Sequence, residues 1–424
     1  MSLFRIVLKN LRQRLLASAL TSLSIALGVA VVVAILTVKE QSQAAFAQSA
    51  FGYDLIVGAK GSELQLVLNT VYHLEKSPGN IPYPLYRELS KDVRVKMAVP
   101  VAVGDSYKGF RLVGTSDRFL KNFEVQPGRS FELAAGRIFD FSEERLDHVM
   151  IAPPGHDHDA HEMPFEAVVG SAAAAATGLG VGSNFVASHG VEEGPGVEAH
   201  EEKWTVTGVL RPTGTPNDRA IFINLESFFS IRGHPKSGVE GRGPEISAII
   251  VKTRGGRAAR DLAFDLGRRA DAMGVLPGAV VGRLFEWFGN VNALLLAISI
   301  LVIIVGGVSI LVSIYNSMSE RKRPIAILRA LGARRTSILA IILLEATTLC
   351  LIGGLAGVVA GHALAEAAGS VLRAQAGLSI TGWTFNPFEA AVIGGLLLLG
   401  VLVGLLPAFK AYRTDISEGL NPSS

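Results

Sequence analysis

Four long apolar stretches stand out along the chain, at residues 15–38, 292–315, 338–365 and 388–409. Each is long enough to cross about 30 Å of hydrocarbon at about 1.5 Å per helical residue. No water reaches the backbone of a spanning segment, so each is predicted to be a helix. Residues 1–14 carry a different pattern. Leu3, Val7 and Leu11 recur at four-residue spacing, while Arg5, Lys9 and Arg12 fall elsewhere. This predicts a cytoplasmic amphipathic helix along the inner membrane surface, or a simple charge anchor for the first span. Between the first two spans, in 39–289, the apolar continuity is lost. Short β-like runs occur at 94–103, 110–114, 148–152, 167–170, 204–210, 220–224 and 245–253. Helical spacing occurs at 64–68, 83–91 and 257–273, and again at 41–50 and 283–292 next to the spans. The fold class expected is an α-helical membrane protein with four transmembrane helices plus an α+β extracytoplasmic domain inserted between helices 1 and 2. The helices beside the spans would form its stalk.

Composition supports this reading. Hydrophobic residues make up 49% of the chain and charged residues only 18%, and the mean hydropathy is +0.38. That is too apolar for an ordinary soluble chain. The net charge of +3 leaves no basic footprint for nucleic acid, and none is expected as a partner. The first apolar run is too long for the core of a signal peptide and lacks a small-residue cleavage site, so an uncleaved anchor is expected. Cys350 is the single cysteine, which excludes an intrachain disulfide.

Flanking charge sets the orientation. Arg5, Lys9, Arg12 and Arg14 precede the first span with no acid among them. Arg321, Lys322, Arg323, Arg329, Arg334 and Arg335 lie between the second and third, against Glu320 alone, and Lys410 and Arg413 follow the fourth. Short basic loops stay in the cytoplasm. Both termini and the 316–337 loop are therefore expected inside a bacterial inner membrane, with 410–424 a cytoplasmic tail. Residues 39–289 and a short 366–387 loop would lie outside.

Three features carry candidate chemistry. Gly353, Gly357 and Gly361 recur every fourth residue in the third span, with Gly354 beside them, a spacing that lets helices approach closely. Glu345 lies in the same span, where an ionisable group usually faces protein or water, and a structural hydrogen-bonding role is expected. Six of the nine histidines fall between His148 and His200. His156, His158 and His161 cluster with Asp157, Asp159 and Glu162, and His189 and His200 follow among acids. Imidazole and carboxylate together suit zinc, although a solvated His-rich insertion is the plainer alternative. No G-x-x-x-x-G-K-S/T stretch, G-x-S-x-G, H-E-x-x-H or paired-cysteine motif occurs. The chain offers no phosphate loop for ATP, and it is not expected to be an enzyme.

The segment from Ser319 to Ala333, S-E-R-K-R-P-I-A-I-L-R-A-L-G-A, resembles the R-x-x-E-I-x-I-L-R-A-L-G-A signature of FtsX-like ABC permeases. These include the MacB-type and lipoprotein-releasing permeases, a type VII group. Pro324 stands where that family usually carries Glu. The similarity extends to Ile25–Ala30 in the first span, Leu344-Glu345-Ala346 with Gly353-Gly354 in the third, Pro407-Ala408 in the fourth, and D-L-I-V-G-A-K-G at 54–61. The resemblance implies a MacB-like periplasmic core domain, a second permease copy or paralogue, and a separate ABC ATPase subunit holding ATP and Mg. It implies mechanotransmission without a conduit through the spans. Residues Glu320, Arg321, Lys322, Arg323, Ile325, Ile327, Leu328, Arg329, Leu331 and Gly332 would then be the ATPase-coupling set, with lipid phosphates as further contacts of the cations. The function expected is export or release of a substrate, with a periplasmic adaptor or lipoprotein as possible partner. The alternatives are a regulator of a periplasmic cell-wall hydrolase and a zinc-linked transporter using the His-rich segment.

Overall fold

The computed structural model describes residues 3–151, 165–190, 199–231, 243–377 and 380–413. It forms two compact bodies, one of Met1–Gln41, Trp287–Val371 and Ile380–Ser424, the other of Ser42–Glu286 and Leu372–Ser379.

The first body is helical. Four helices, Leu15–Ser49, Pro277–Ala330, Arg335–Ala376 and Pro387–Arg413, contain segments long and apolar enough to cross a membrane. Their outer faces expose large apolar side chains, among them Leu16, Leu20, Leu294, Leu301 and Leu402. Their shared interior holds Ile25, Val29, Val33, Ile310, Ile342, Ala346 and Leu396, together with small polar groups such as Ser22 and Ser299. Exposed leucine and sequestered hydroxyl are the arrangement expected where the surroundings are lipid. The N-terminal helix Leu3–Gln13 buries Val7 and Leu11 in this same core. Two positions of its apolar stripe are therefore covered by protein, while Leu3 stays exposed.

Two connections differ from expectation. The 316–337 segment, expected as a coupling loop holding a short helix at Ile325–Leu331, is helical over more of its length: the second long helix continues through it to Ala330, and the next begins at Arg335. Pro324 lies within that helix. It removes one backbone donor, and the charged residues before it are poor lipid neighbours but adequate helix formers. Likewise the third long helix runs to Ala376, so the 366–387 connection is helical for half its length. The fourth helix starts in a capping box legible in Asn386-Pro387-Phe388-Glu389. Asn386 Oδ1 accepts from Phe388 N at 2.9 Å, Glu389 Oε1 accepts from Asn386 N at 3.0 Å, and Pro387 takes the first helical position.

The second body is built on a 10-stranded mixed sheet. Its strands are β1 (Leu55–Gly58), β2 (Val95–Tyr107), β3 (Phe110–Thr115), β4 (Leu133–Gly136), β5 (Glu166–Val169), β6 (Asn184–His189), β7 (Ala199–Leu210), β8 (Ile221–Asn224), β9 (Ala248–Thr253) and β10 (Met273–Val275). The order is β10-β1-β9-β2-β3-β8-β5-β7-β4, and β6 pairs with both β7 and β2. The pairs β3–β8 and β5–β7 are parallel and the others antiparallel. Trp204, Leu112, Ile221, Ile249 and Val251 form the core, fully or almost fully removed from solvent. Helix Tyr83–Lys91 buries Leu85, Tyr86 and Leu89 against this core, matching its apolar spacing.

Three expected elements of this body are corrected. Of residues 148–152, expected as a strand, 148–151 are helical within Glu143–Ile151, and Ala152 lies outside the described residues. The apolar positions Leu146, Val149 and Met150 fall at helical spacing once the acids Glu143 and Glu144 are read as its first turn. The helix expected over 257–273 ends at Gly267, and Met273 opens the edge strand β10 instead. The expected strand 245–253 breaks at Ser247, whose Oγ accepts from Val103 N at 3.1 Å.

Helical residues flanking the spans also pack together in this body. Phe46 meets Phe285 edge to face at 5.5 Å and Tyr72 at 4.8 Å, and the Tyr72 hydroxyl donates to the Phe46 carbonyl at 2.8 Å. The two chain segments that leave for the apolar helices are thus fastened to each other and to the domain.

Candidate functional site

The signature segment forms the end of the second long helix and a tight turn. Ile325 and Ala326 are buried in the helical body. Ile327 and Leu331, one turn apart, are 44% and 80% exposed. Residues at that spacing share one helical face, so the segment presents an apolar pair outward, while Arg329, two positions from each, falls on another face. Gly332 ends the helix with φ +96°, and its N–H donates to the Arg329 carbonyl at 3.0 Å. A side chain is strained in that left-handed conformation, which gives the glycine of the L-G-A signature a backbone reason. The backbone of Glu320, Arg321, Lys322, Arg323 and Leu328 continues the helix, while their side chains lie outside the described residues.

The glycine seam of the third long helix lies against the first. A Cβ at Gly353 would stand 2.7 Å from the Ser22 carbonyl oxygen. At Gly357 it would be 2.6 Å from Val29 Cβ, and at Gly361 2.7 Å from Val33 Cβ. Backbones approach at these three positions as closely as a bare hydrogen permits. Gly28 and Gly306 do the same between the first and second long helices, against Ile303 and Ile25. Glu345 is buried in the third helix next to the fully buried Ala346.

The same helix holds His362, which the sequence pattern did not single out. It is buried, with Nδ1 2.7 Å from the Gly382 carbonyl oxygen and Nε2 3.1 Å from Glu389 Oε2. A carbonyl only accepts, so Nδ1 carries a proton. The Trp383 ring stacks on the imidazole at 5.7 Å and Phe385 meets it edge-on at 5.0 Å. The imidazole thereby ties the turn before the fourth helix to the third helix, and the Glu389 of the capping box serves both ends of that tie.

Of the histidines, His156, His158 and His161 lie outside the described residues. His189 and His200 do come together, around a residue that the sequence reading passed over. Asp105, fully buried on β2, has its Oδ1 3.4 Å from His189 Nδ1 and 3.3 Å from His200 Nε2. One potential ligand atom from each of the three lies within 4.8 Å of the others. The only trace of Asp105 in the sequence is an acid next to an apolar run, and nothing local relates it to histidines more than eighty positions away.

Residues 18–269 match the MacB-like periplasmic core domain, and residues 296–416 match the FtsX-like permease C-terminal region. An uncharacterized ABC transporter permease of Methanocaldococcus jannaschii is 28% identical over 248 residues, covering 54% of this chain and 58% of that protein. The macrolide export ATP-binding/permease protein MacB of Rhodopirellula baltica is 36% identical over 141 residues, 33% of this chain and 19% of that protein. The chain thus spans well under two thirds of either relative. The crystal structure of the periplasmic region of MacB from Actinobacillus actinomycetemcomitans aligns over 55% of this chain and 94% of its own, with TM-score 0.34 and 14% identity.

Proposed function

The chain belongs to the ABC transporter permeases that join a MacB-like periplasmic core domain to an FtsX-like permease region, and on that premise we propose that it is the membrane subunit through which a separate ATPase works the outer domain. The cytoplasmic end would be the turn at 331–334 with the exposed pair Ile327 and Leu331 and the cation Arg329. The outer end would be the domain built on the ten-stranded sheet. Both termini would be cytoplasmic in a bacterial inner membrane, and a second permease copy or paralogue would complete the assembly. The work done would be export or release of a substrate from the outer face.

The observation that supports this most is the helix Pro277–Ala330. Its 54 residues follow directly on the edge strand of the domain and end in the signature turn. At about 1.5 Å per residue, 54 helical residues amount to about 80 Å of helix along the chain. A helix resists compression and bending far better than a loop, so displacement at its cytoplasmic end would be delivered to the strand at its other end. The Phe46–Phe285 contact would make the first long helix move with it.

The test is association with the ATPase. The full chain, affinity-purified in detergent from its native host, should carry an ATP-binding-cassette subunit. Leu331→Asp and Arg329→Glu should reduce that association at least about tenfold, the loss of about 1.4 kcal/mol of interface. Unchanged association and unchanged ATPase turnover in both variants would remove the turn from the coupling path. Co-purification of a cell-wall hydrolase with the outer domain, in place of any exported molecule, would replace export by regulation of that hydrolase.

A further inference from the structure

We propose that Asp105, His189 and His200 form a binding site for a single divalent transition cation of the zinc type on the outer domain. The site stands on its own geometry and does not rest on the permease reading.

The backbone places the three donors before any ion arrives. Asp105 and His189 are directly opposed cross-strand partners of β2 and β6. Their register is held from both sides: the Gly190 N–H donates to the Gly104 carbonyl at 2.8 Å, and the Ser106 hydroxyl donates to the Gly190 carbonyl at 2.7 Å. His200 stands at the start of β7, beside Ala199, which pairs with Ser188 of β6. A register shift between Ala199 and Lys203 departs from regular pairing at that point.

The donor set suits a borderline cation. Two imidazole nitrogens and one carboxylate oxygen make three protein ligands, the number found where zinc keeps a fourth position for water or another ligand. Metal–ligand bonds of about 2.0–2.1 Å at the tetrahedral angle put neighbouring donor atoms about 3.3 Å apart. The nitrogens of His189 and His200 stand 3.4 Å and 3.3 Å from the same oxygen of Asp105. Direct charge-assisted hydrogen bonds close to about 2.7–2.9 Å. Two of the three donor separations therefore match those of ligands around a common centre, and all three donor atoms lie within 4.8 Å of one another. The side chain of Asp105 is fully buried, that of His200 11% exposed and that of His189 63% exposed. An ion would be anchored from within and reached from the His189 side, where the open coordination position would lie. It would fasten the β6–β7 pair to β2.

The experiment uses the full chain in detergent, stripped of metal and titrated with zinc against a chromogenic chelator. Unaltered protein should bind one tight equivalent through these residues. His189→Gln should weaken that equivalent by more than about 100-fold, since loss of even an outer-sphere partner of a ligand costs about 10–100-fold. His189 is exposed, so its replacement leaves the core undisturbed. His200→Gln and Asp105→Asn should act in the same direction, with circular dichroism confirming the fold. The triple variant His156→Ala, His158→Ala, His161→Ala should keep the equivalent. A tight equivalent that survives His189→Gln and Asp105→Asn, or that disappears only in the triple variant, would overturn the assignment. So would the absence of any tight equivalent in the unaltered chain.

Discussion

The two bodies of this chain use the same residue types in opposite ways. In the sheet domain, Trp204, Phe222 and Leu112 are inside, and the few charged groups enclosed with them, such as Asp105 and Glu226, are exceptions. In the helical body, large leucines such as Leu16 and Leu301 are 78% and 61% exposed, whereas Ser22, Ser299, His362 and Glu345 are inside. Water drives the first arrangement by expelling apolar surface. Lipid supplies no such force between helices, so the second depends on close backbone approach at glycine and on enclosed polar contacts. Packing is needed in both. What differs is which kind of residue cannot be changed: the large apolar ones in the domain, the smallest ones in the helices.

That contrast can be attacked from the domain side first, with the largest effect. Trp204→Ala empties the centre of the sheet core and should destabilise the domain by about 3–5 kcal/mol, read as a lowered midpoint of denaturant unfolding followed by proteolysis. An unchanged midpoint would mean that the sheet core does not hold the domain together.

The next effect is one of charge. His73 keeps Nδ1 sealed from solvent, while Nε2 lies 3.2 Å from Asn217 Oδ1. Burial, outweighing the Asn217 hydrogen bond, pushes its pKa down from 6.5 to about 4. The unfolded chain therefore takes up the proton first as pH falls. Stability from the neutral imidazole is complete above pH 6.5 and is lost between there and about pH 4, by on the order of 2–3 kcal/mol. His73→Gln should flatten stability across that window. An identical acid profile in the variant would place the proton uptake elsewhere.

On the helical side, Gly357→Leu would force a side chain into Val29 and the Ala26 carbonyl, 2.6 Å and 2.7 Å from the new Cβ. The overpacking should cost about 1–3 kcal/mol and appear as a lower melting temperature in detergent. The smallest effect should come from Leu301→Ala on the outer face of the second long helix, within about 0.5 kcal/mol of zero. If Leu301→Ala proved the more damaging of this pair, the outer face would be an interface with protein, and the contrast between the two bodies would need redrawing.

Much of this architecture is legible in particular residues. The apolar runs announced the four long helices, and Gly353, Gly357 and Gly361 announced a face without side chains. Elements of the domain were harder to read where local signals conflict. Val149, Met150 and Ile151 read as a strand until Leu146 and the acids before it are counted as a helix start. The 316–337 segment looks like a loop because its charges and Pro324 mark the end of the apolar run, yet charge ends the lipid-facing stretch and not the helix.

By itself the sequence determined how many apolar helices there are, where the inserted domain lies between them, and which short segment carries the family signature. These properties depend on period, length and composition, which are local. Only the tertiary structure decided that Asp105 meets His189 and His200, that His362 meets Glu389, and which of the many glycines faces a neighbouring backbone. Those pairings are set by sheet register and helix packing between residues far apart in the chain, and no local pattern of residues encodes a partner at that distance.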